Sequence, residues 1–312
     1  MFTPVLLFVI GVTLSLVLLL WLYGERWRLL RPSTWKAMKE FGLKQILNLK
    51  ALHMYIYGRW TNQYIKTLIY RVMPRLKTKG RQWLSDHYHA KVLTEEQARA
   101  IITVKKTIPL RDLEQIIPYP MARDLVLQGP PEVIAYECPC RHSRPHSCQP
   151  TQVCMVIGQP FVDFILEHNP QSSRRLTQSE ALELLEAEHN RGHVHTAWFK
   201  DACLDRFYNI CNCCKCCCGG IEAMVKHGIP MLAPSGYISE VNKNLCTACG
   251  DCVAACPFSA ISLGKDGIHL DEQKCMGCGV CIEACQTKAR SLVRDGRKGR
   301  PLDVRFLAKK AA

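Results

Sequence analysis

The first quarter of this 312-residue chain has almost no acidic residues. Up to Ser85 there are fourteen lysines and arginines against only Glu25 and Glu40, so this part has a net charge of +12, out of +14 for the whole chain. A nucleic-acid-binding module usually spreads its basic residues over a folded recognition surface, whereas here they follow a hydrophobic segment. The charge distribution therefore favours a membrane surface as partner and argues against a nucleic acid.

Charged residues of either sign are absent from Met1 to Gly24, and Val5 to Leu22 is almost wholly aliphatic. A run of this length can cross a hydrocarbon core of roughly 30 Å, which predicts a transmembrane anchor at 1–24. A cleaved secretory signal is the alternative, although the run lacks a preceding basic region and an evident cleavage motif. Arginines and lysines follow the run directly, so the positive-inside rule predicts a single pass through the inner membrane, with the amino terminus outside and the remainder in the cytoplasm.

Signatures of nucleotide binding and of hydrolysis are also lacking. We find no glycine-rich nucleotide loop, no flavin signature, and no serine or cysteine nucleophile with an evident base partner. Enzymatic activity therefore stays open, and the sequence identifies neither an electron donor nor an acceptor.

Cysteine, in contrast, is abundant, with nineteen residues. A cytoplasmic location keeps thiols reduced and available as metal ligands. Adjacent cysteines such as Cys213 and Cys214 rarely reach the geometry of a disulfide bond. The cysteine content therefore indicates metal binding.

Eight of the cysteines form two copies of the pattern Cys-x2-Cys-x2-Cys-x3-Cys, spaced twenty-nine residues apart. Short loops let successive thiolates wrap three corners of a cubane, and Gly250 and Gly279 permit the tight backbone there. The segment resembles a bacterial-type two-cluster 4Fe-4S ferredoxin domain, although Gln286 stands in the second copy where the first has Pro257. A zinc-binding or disulfide-bonded module is the alternative.

This resemblance implies two 4Fe-4S clusters, each held by three cysteines of one copy and the fourth cysteine of the other. The implied ligands are Cys246, Cys249, Cys252 and Cys285 for the first cluster, and Cys275, Cys278, Cys281 and Cys256 for the second.

Ten more cysteines lie upstream in two groups, which are Cys138, Cys140, Cys148 and Cys154, and Cys211, Cys213, Cys214, Cys216, Cys217 and Cys218. The first group is too widely spaced for a tight cubane loop and the second too crowded to serve one cubane, so we expect both to share metal. Their number permits one or two additional iron-sulfur clusters, or one larger or unusual cluster. Zinc and redox thiols without metal are the alternatives.

Three other residues are singled out in this region. His195 is the best candidate for a non-cysteine neighbour of the metal, although an ordinary packed or surface imidazole is the favoured interpretation of this residue. Arg141 is either a cation that neutralises cluster charge or a surface guanidinium. Cys203 is expected to be a buried thiol without a ligand role.

The order of these motifs carries a second resemblance, which covers roughly Glu137 to Val293. The Cys-Pro-Cys-Arg group, the Gly-His-Val-His segment, the crowded cysteine run and the terminal ferredoxin domain together resemble poorly characterised membrane-anchored 4Fe-4S proteins of anaerobic bacteria and archaea. This resemblance implies electron transfer in anaerobic metabolism. Cys217-Cys218-Gly219 is also similar to the Cys-Cys-Gly motif of heterodisulfide reductase subunits, which hold a noncubane cluster, but the long spacings of that family are absent.

Composition and local patterns predict an α+β fold in five parts. These are the anchor at 1–24, basic amphipathic juxtamembrane helices at 25–85, a cysteine-rich metal-binding domain at 86–235, the ferredoxin domain at 236–296 and a basic tail at 297–312. Within the second part, Tyr57, Trp60, Tyr64, Leu68 and Val72 recur at helical spacing. This helix is predicted either to lie on the anionic inner leaflet or to pack on the soluble body or a membrane subunit.

Capping boxes at Thr94 and Thr177 predict the starts of two helices. The remaining local predictions are strands at Ile101–Ile108, at Val133–Tyr136 and from about His193, a helical turn or two at Leu110–Ile117, and a hairpin around Lys265-Asp266-Gly267.

The function predicted from these features is that of a membrane-anchored iron-sulfur protein that relays electrons on the cytoplasmic face. It would be the electron-transfer component of an anaerobic oxidoreductase, with redox proteins or subunits of a membrane redox complex as partners. The alternative is an oxidoreductase that reduces a disulfide or a small molecule at Cys211–Cys218. A regulatory metal sensor would account for the middle cysteines but not for two ferredoxin clusters beside them.

Overall fold

The computed structural model describes residues 2–42, 49–110, 113, 115–121 and 124–310. Its helices are α1 (Phe2–Gly24), α2 (Pro32–Glu40), α3 (Leu49–Arg59), α4 (Thr61–Thr67), α5 (Thr78–His87), α6 (Glu95–Ile102), α7 (Pro139–His142), α8 (Phe161–His168), α9 (Gln178–Asn190), α10 (Gly219–His227), α11 (Asp251–Ala255), α12 (Val280–Glu283) and α13 (Val304–Lys310). Its strands are β1 (Tyr88–Leu93), β2 (Ile108–Leu110), β3 (Leu125–Leu127), β4 (Val133–Glu137), β5 (Gln152–Ile157), β6 (Ser173–Leu176), β7 (Val194–Lys200), β8 (Arg206–Cys213), β9 (Leu232–Ala233), β10 (Tyr237–Val241), β11 (Ile261–Gly264), β12 (Gly267–Leu270) and β13 (Arg290–Arg294). This mixture of helices and strands agrees with the predicted α+β class.

A seven-stranded sheet lies at the centre of the cysteine-rich region, in the order β6-β4-β5-β8-β7-β1-β9. Neighbouring strands are antiparallel except for β1 and β9, which are parallel. Helices α3, α4, α8 and α10 cover one face, and α6, α9 and α13 cover the other, so each face has its own hydrophobic core. Because both faces are covered, a central strand such as β7 is buried along its whole length.

A β-bulge in β8 changes which of its side chains face the core beneath α3 and α4. Trp198 pairs with Asn209 and Phe199 with Phe207, so Tyr208 is an extra residue in β8. An extra residue shifts the alternation of side chains by one position. As a result, Tyr208 and Cys211 both contact the core beneath α3 and α4, while Ile210 belongs to the opposite core.

Helix α1 is exposed along its apolar length, and its carboxyl end contacts the body of the protein. The segment Val5–Gly24 is long and apolar enough to span a membrane, although a signal sequence near an amino terminus would have the same length and composition. Trp21 stacks on Tyr55 at a centroid distance of 5.2 Å, and Arg59 Nε donates to the carbonyl of Gly24 at 2.8 Å. The buried carboxylate of Glu25 accepts a hydrogen bond from the Thr34 hydroxyl at 2.9 Å. These contacts fix the point where α1 leaves the body.

The predicted basic amphipathic helix is divided into several pieces. Helices α3 and α4 are followed by a π-helical turn at Leu68–Val72 and a 3-10 turn at Met73–Arg75. The apolar face of these pieces, which includes Met54, Ile65 and Leu68, is buried against the sheet. Of the two predicted positions for this segment, the described residues therefore show packing on the soluble body.

The strand predicted at Ile101–Ile108 is wrong. Ile101 and Ile102 end helix α6, which begins after the capping box of Thr94, and strand β2 begins only at Ile108. Ala98 and Ile101 share the buried face of α6, so core packing outweighs the strand preference of β-branched isoleucine.

Most other local predictions agree with the structure. The capping box of Thr177 begins α9, Val133–Tyr136 lies in β4, and Val194 begins β7. The turn predicted at Leu110–Ile117 falls partly outside the described residues, within which the N–H of Ile117 donates to the carbonyl of Leu113 at 2.7 Å.

The carboxyl-terminal cysteine region is closed by the antiparallel pair β10 and β13. Between them, β11 and β12 form the predicted hairpin, whose two-residue loop is Lys265-Asp266. The segment predicted as a basic tail continues into α13, and Leu302 and Val304 are buried in the core beside α6. This segment is therefore packed onto the cysteine-rich region at least from Leu302 to Val304.

Candidate metal centres

The eight ferredoxin-pattern cysteines lie around two cavities. One cavity of about 20 Å³ is lined by Cys246, Cys249, Cys252 and Cys285, and another of about 20 Å³ is lined by Cys256, Cys275, Cys278 and Cys281. Each cavity thus contains three cysteines of one sequence copy and the fourth cysteine of the other. These are the two sets that the resemblance to ferredoxins implies.

The surroundings of both cysteine sets suit iron-sulfur clusters. The donors are four thiols in each case, and apolar side chains such as Ile268 and Phe258 complete the walls. Backbone N–H and hydroxyl groups also approach sulfur, since the N–H of Ala260 donates to Cys256 Sγ at 3.3 Å and Ser239 Oγ lies 3.2 Å from Cys281 Sγ. Such hydrogen bonds stabilise bound thiolates and tune cluster potentials. A bound cluster would supply one-electron chemistry at each set.

The glycines of the two copies have the conformation that the sequence pattern predicts. Gly250 and Gly279 have φ of +86° and +87°, a region that favours glycine, and each precedes a short helix that contains the third cysteine of its copy. The loops can therefore turn tightly around the thiols.

The ten upstream cysteines separate into two adjoining groups. The first, which we call the thiol quartet, consists of Cys148, Cys214, Cys216 and Cys217, whose sulfur atoms all lie within 4.8 Å of one another. The backbone N–H of Cys148 donates to Cys217 Sγ at 3.5 Å, which holds the two chain segments together. Cys216 is exposed, so this group is at the surface. Four thiols at this spacing can hold a metal, either a single tetrahedral ion or an iron-sulfur centre.

The second group, which we call the thiol ring, contains the six remaining upstream cysteines. Its members are in side-chain contact in the closed order Cys138, Cys140, Cys218, Cys213, Cys211, Cys154 and back to Cys138. The Cys211 and Cys154 sulfur atoms, for example, are 3.6 Å apart. Hydrogen bonds with the thiols of Cys211 and Cys218 lower the pKa of Cys213 to about 6. The ring is assembled from β5, β8 and the turns at the starts of α7 and α10.

The thiol ring lines a cavity of about 80 Å³, which we call the apolar chamber. Its opposite wall comes from α3, α4 and the π-helical turn, with residues such as Ile65 and Ile69. Four tyrosines also line it, and the hydroxyl of one of them, Tyr57, lies 2.6 Å from that of Tyr208 and 3.3 Å from that of Tyr88. The buried ammonium group of Lys200 lies over the Tyr88 ring at 4.3 Å. The sequence analysis named Tyr57 only as part of the amphipathic helix, and it assigned no site role to these tyrosines or to Lys200.

Arg141 is fully buried, which excludes the surface guanidinium that the sequence left open. Its guanidinium donates to Glu188 Oε2 at 3.0 Å and to the carbonyl of Asn212 at 3.2 Å. Burial alone would raise the pKa of Glu188, but its contacts with His193 and Arg141 lower it. Since Arg141 follows Cys140 and the Asn212 carbonyl precedes Cys213, a buried cation lies directly beside the thiol ring.

His195 does not face the thiols, so it is the packed imidazole that the sequence favoured and not the neighbour of the metal. Its side chain lies on the other face of β7, where Nδ1 is 2.7 Å from Asn212 Oδ1 and the ring stacks on His189. Thr196 has the predicted position instead, with its hydroxyl 3.4 Å from Cys213 Sγ. Side chains alternate along a strand, so the residue next to His195 faces the thiols. Cys203 is buried and lies outside both thiol groups, as expected.

The thiol quartet adjoins both the thiol ring and the ferredoxin-type region. Cys214 and Cys217 of the quartet are the sequence neighbours of Cys213 and Cys218 of the ring. On its other side, Lys215 Nζ donates to the carbonyl of Ala254 at 2.9 Å, in helix α11 between two cysteines of the first ferredoxin copy.

A second contact joins the cysteine-rich region to the ferredoxin-type region. His189 Nε2 of α9 lies 3.3 Å from Glu283 Oε1 of α12, so helices of both ferredoxin copies contact the cysteine-rich region.

Comparisons with known proteins identify the carboxyl-terminal cysteine region. Residues 245–289 match the family model of the 4Fe-4S dicluster domain. The chain is also 58% identical over 31 residues to a probable ferredoxin of Methanosarcina thermophila, a stretch that covers 10% of this chain and 53% of that protein. The chain thus spans about half the length of this curated relative. The carboxyl-terminal region is a ferredoxin-type domain that binds 4Fe-4S clusters, as the sequence pattern predicted.

The crossed arrangement of the two cavities predicts that cysteines far apart in sequence affect the same cluster. Replacement of Cys249 or Cys285 by serine should perturb the same paramagnetic signal, while replacement of Cys256 should perturb the other, because each cavity draws on both copies. Paramagnetic resonance of the reduced variants, purified anaerobically, would measure this. If Cys285→Ser and Cys281→Ser changed the same signal and spared that of Cys249, the crossed assignment would be incorrect.

Proposed function

We propose that this protein is an electron-transfer subunit of a membrane redox complex. It would relay electrons between redox partners through two ferredoxin-type clusters, the thiol quartet and the thiol ring. The ligands of the ferredoxin clusters would be the two crossed cysteine sets, and the upstream domain would hold one or two further metal centres. Thiolate-ligated clusters suit such a relay because they accept and donate single electrons, with potentials set by burial and hydrogen bonds to sulfur.

The observation that carries this proposal is the unbroken succession of thiol groups through the molecule. The ferredoxin-type domain contacts Lys215, which lies between Cys214 and Cys216 of the thiol quartet. The quartet in turn adjoins the thiol ring through the peptide bonds Cys213-Cys214 and Cys217-Cys218. A molecule that only stored or sensed metal would not need four thiol-lined sites in direct succession. The arrangement therefore favours electron transfer from one end of the series to the other.

The surroundings of α1 support a place at the cytoplasmic face of the inner membrane. Tyr23, Trp27 and Trp35 are exposed where α1 meets the body, and aromatic rings are enriched at the level of the lipid headgroups. Basic side chains follow in the same short segment, as the positive-inside rule requires for a cytoplasmic position. The ferredoxin-type domain lies at the carboxyl end of the chain and would accept soluble or subunit partners.

The contact at Lys215 provides a test of the relay. Lys215→Glu should slow reduction of the upstream centres by roughly fivefold, since an exposed charge-assisted hydrogen bond worth about 1 kcal/mol is lost and a like-charge repulsion is introduced. Freeze-quench paramagnetic resonance after mixing with a low-potential reductant would measure the rate. Lys265→Glu is the matched control, because this exposed lysine of the hairpin loop undergoes the same charge change. Equal slowing by both variants, or by neither, would contradict a route through Lys215.

The membrane assignment predicts how the protein partitions in cell extracts. Carbonate washing should leave the full chain in the membrane pellet, because Val5–Gly24 is long and apolar enough to span the bilayer. Deletion of residues 2–24 should leave a weaker association that salt disrupts, through the basic segment that follows. Release of the full chain by carbonate would contradict the anchor. Protease cleavage of the ferredoxin-type domain from outside intact cells would contradict the orientation.

A second candidate function is catalysis at the thiol ring, which the apolar chamber favours. The chamber places an apolar wall and a tyrosine cluster opposite six thiols, as a reductase for a small disulfide would require. If the protein is such an enzyme, the chemically reduced wild type should turn over a small disulfide. Cys211→Ala should abolish that turnover, and Cys203→Ala, at a thiol outside the ring, should not. Absence of turnover in the wild type would leave the ring as an electron-transfer centre only.

A further inference from the structure

The number of thiols in the thiol ring does not suit an ordinary cubane. A 4Fe-4S cubane has four iron corners and takes four terminal thiolates, so it would leave two of the six thiols without iron. Two separate cubanes would need eight thiolates, two more than the ring contains. The thiol quartet cannot supply the difference, because its four sulfur atoms already form a compact site of their own.

The geometry of the thiol ring gives no reason to separate four thiols from the other two. Every member is in side-chain contact with two others, and the series closes on itself. All six members line one cavity of about 80 Å³, which is about four times the volume of the cavities of about 20 Å³ around each set of ferredoxin cysteines. The ring therefore has the space for a group larger than a single cubane.

The backbone near the thiol ring is shaped for close approach to sulfur. Adding a Cβ atom at Gly219 would place it 2.9 Å from the Ile69 side chain and 3.5 Å from Cys140 Sγ, and at Gly220 it would lie 2.6 Å from the Trp198 ring. Glycine at both positions lets α10 begin directly against the ring. The N–H of Gly219 then donates to Cys140 Sγ at 3.4 Å, which stabilises a metal-bound thiolate.

From these observations we propose that the thiol ring binds one iron-sulfur cluster of about eight irons, built as two joined cubanes. If four thiolates each bind one iron and two thiolates each bridge a pair of irons, six thiolates account for about eight irons. The two bridging thiolates would lie opposite each other in the ring, with two terminal thiolates on either side. Arg141 would offset part of the negative charge from its buried position beside the ring. This inference rests on the proposed electron-transfer function, in which the larger cluster would be the last centre of the series.

Iron counting in a variant that lacks the thiol quartet would test this proposal without altering the ring. Replacement of both Cys148 and Cys216 by serine leaves only two of the four quartet thiols, too few to hold a cluster, and the full-length protein would be purified anaerobically in detergent. With about eight irons in the ferredoxin-type domain, native mass spectrometry should find about sixteen irons in this variant. About twelve irons would mean that the ring holds a single cubane, and about eight would mean that it holds no iron, so either count would overturn the proposal.

Substitutions within the thiol ring provide a second and independent measurement. Cys154→Ser and Cys140→Ser should each remove or alter the same Mössbauer and paramagnetic components, because all six thiols would serve one cluster. Cys203→Ser is the matched control, a buried thiol of the same chamber that lies outside the ring, and it should leave the iron content unchanged. Retention of the ferredoxin signals would show that the variants fold. If two of the six ring cysteines could be replaced with no loss of iron, the ring would hold a four-thiolate cluster instead.

These measurements separate the larger cluster from the proposed relay. If the relay is incorrect, the upstream centres of the Lys215→Glu variant will become reduced at the wild-type rate, whatever the iron count of the ring. If only the larger cluster is incorrect, that rate will fall as expected while the quartet variant contains about twelve irons or fewer.

Discussion

The structure depends on the requirement that ten upstream thiols and eight ferredoxin-pattern thiols be brought together from distant parts of the chain. Thiols in contact inside a protein carry polar and potentially negative groups into an environment where neither is stable without a partner. Bound metal would provide that partner, and the elements around each thiol group hold the sulfur atoms at close distance. The central sheet does this for the thiol ring, in which Cys154 of β5 and Cys211 and Cys213 of β8 lie on adjacent strands.

A buried ion pair lies beside the thiol ring. Arg141 and Glu188 form a fully buried ion pair at 3.0 Å, and the guanidinium also donates to the carbonyl of Asn212. A buried pair of this kind contributes little net stability compared with an apolar core, but loss of one partner leaves a costly uncompensated charge. The pair thus holds the turn after Cys140 against the end of β8, and it keeps a positive charge near thiols that become negative when they bind metal.

The basic segment at 25–85, which follows α1, has two roles in the structure. Its basic and aromatic residues are placed where a lipid surface would meet α1, and its apolar face forms the wall of the apolar chamber opposite the thiol ring. Ile69, for example, packs against Gly219 at the start of α10, next to Cys218 of the ring. A change in the position of this segment would therefore alter the enclosure of the ring.

The sequence by itself determined the ferredoxin-type domain, the apolar helix α1 and the capping boxes of α6 and α9, and it singled out the ten upstream thiols as one set of candidate metal ligands. These features are local, since short spacings such as Cys-x2-Cys and an unbroken apolar run impose their geometry without help from the rest of the chain. Only the tertiary structure decided how the ten thiols divide into quartet and ring, because that division depends on which strands are neighbours in the sheet. It also decided that Thr196 rather than His195 faces sulfur and that Ile101 is helical. Both outcomes follow from which face of an element is buried, and burial is set by long-range packing rather than by the residues nearby.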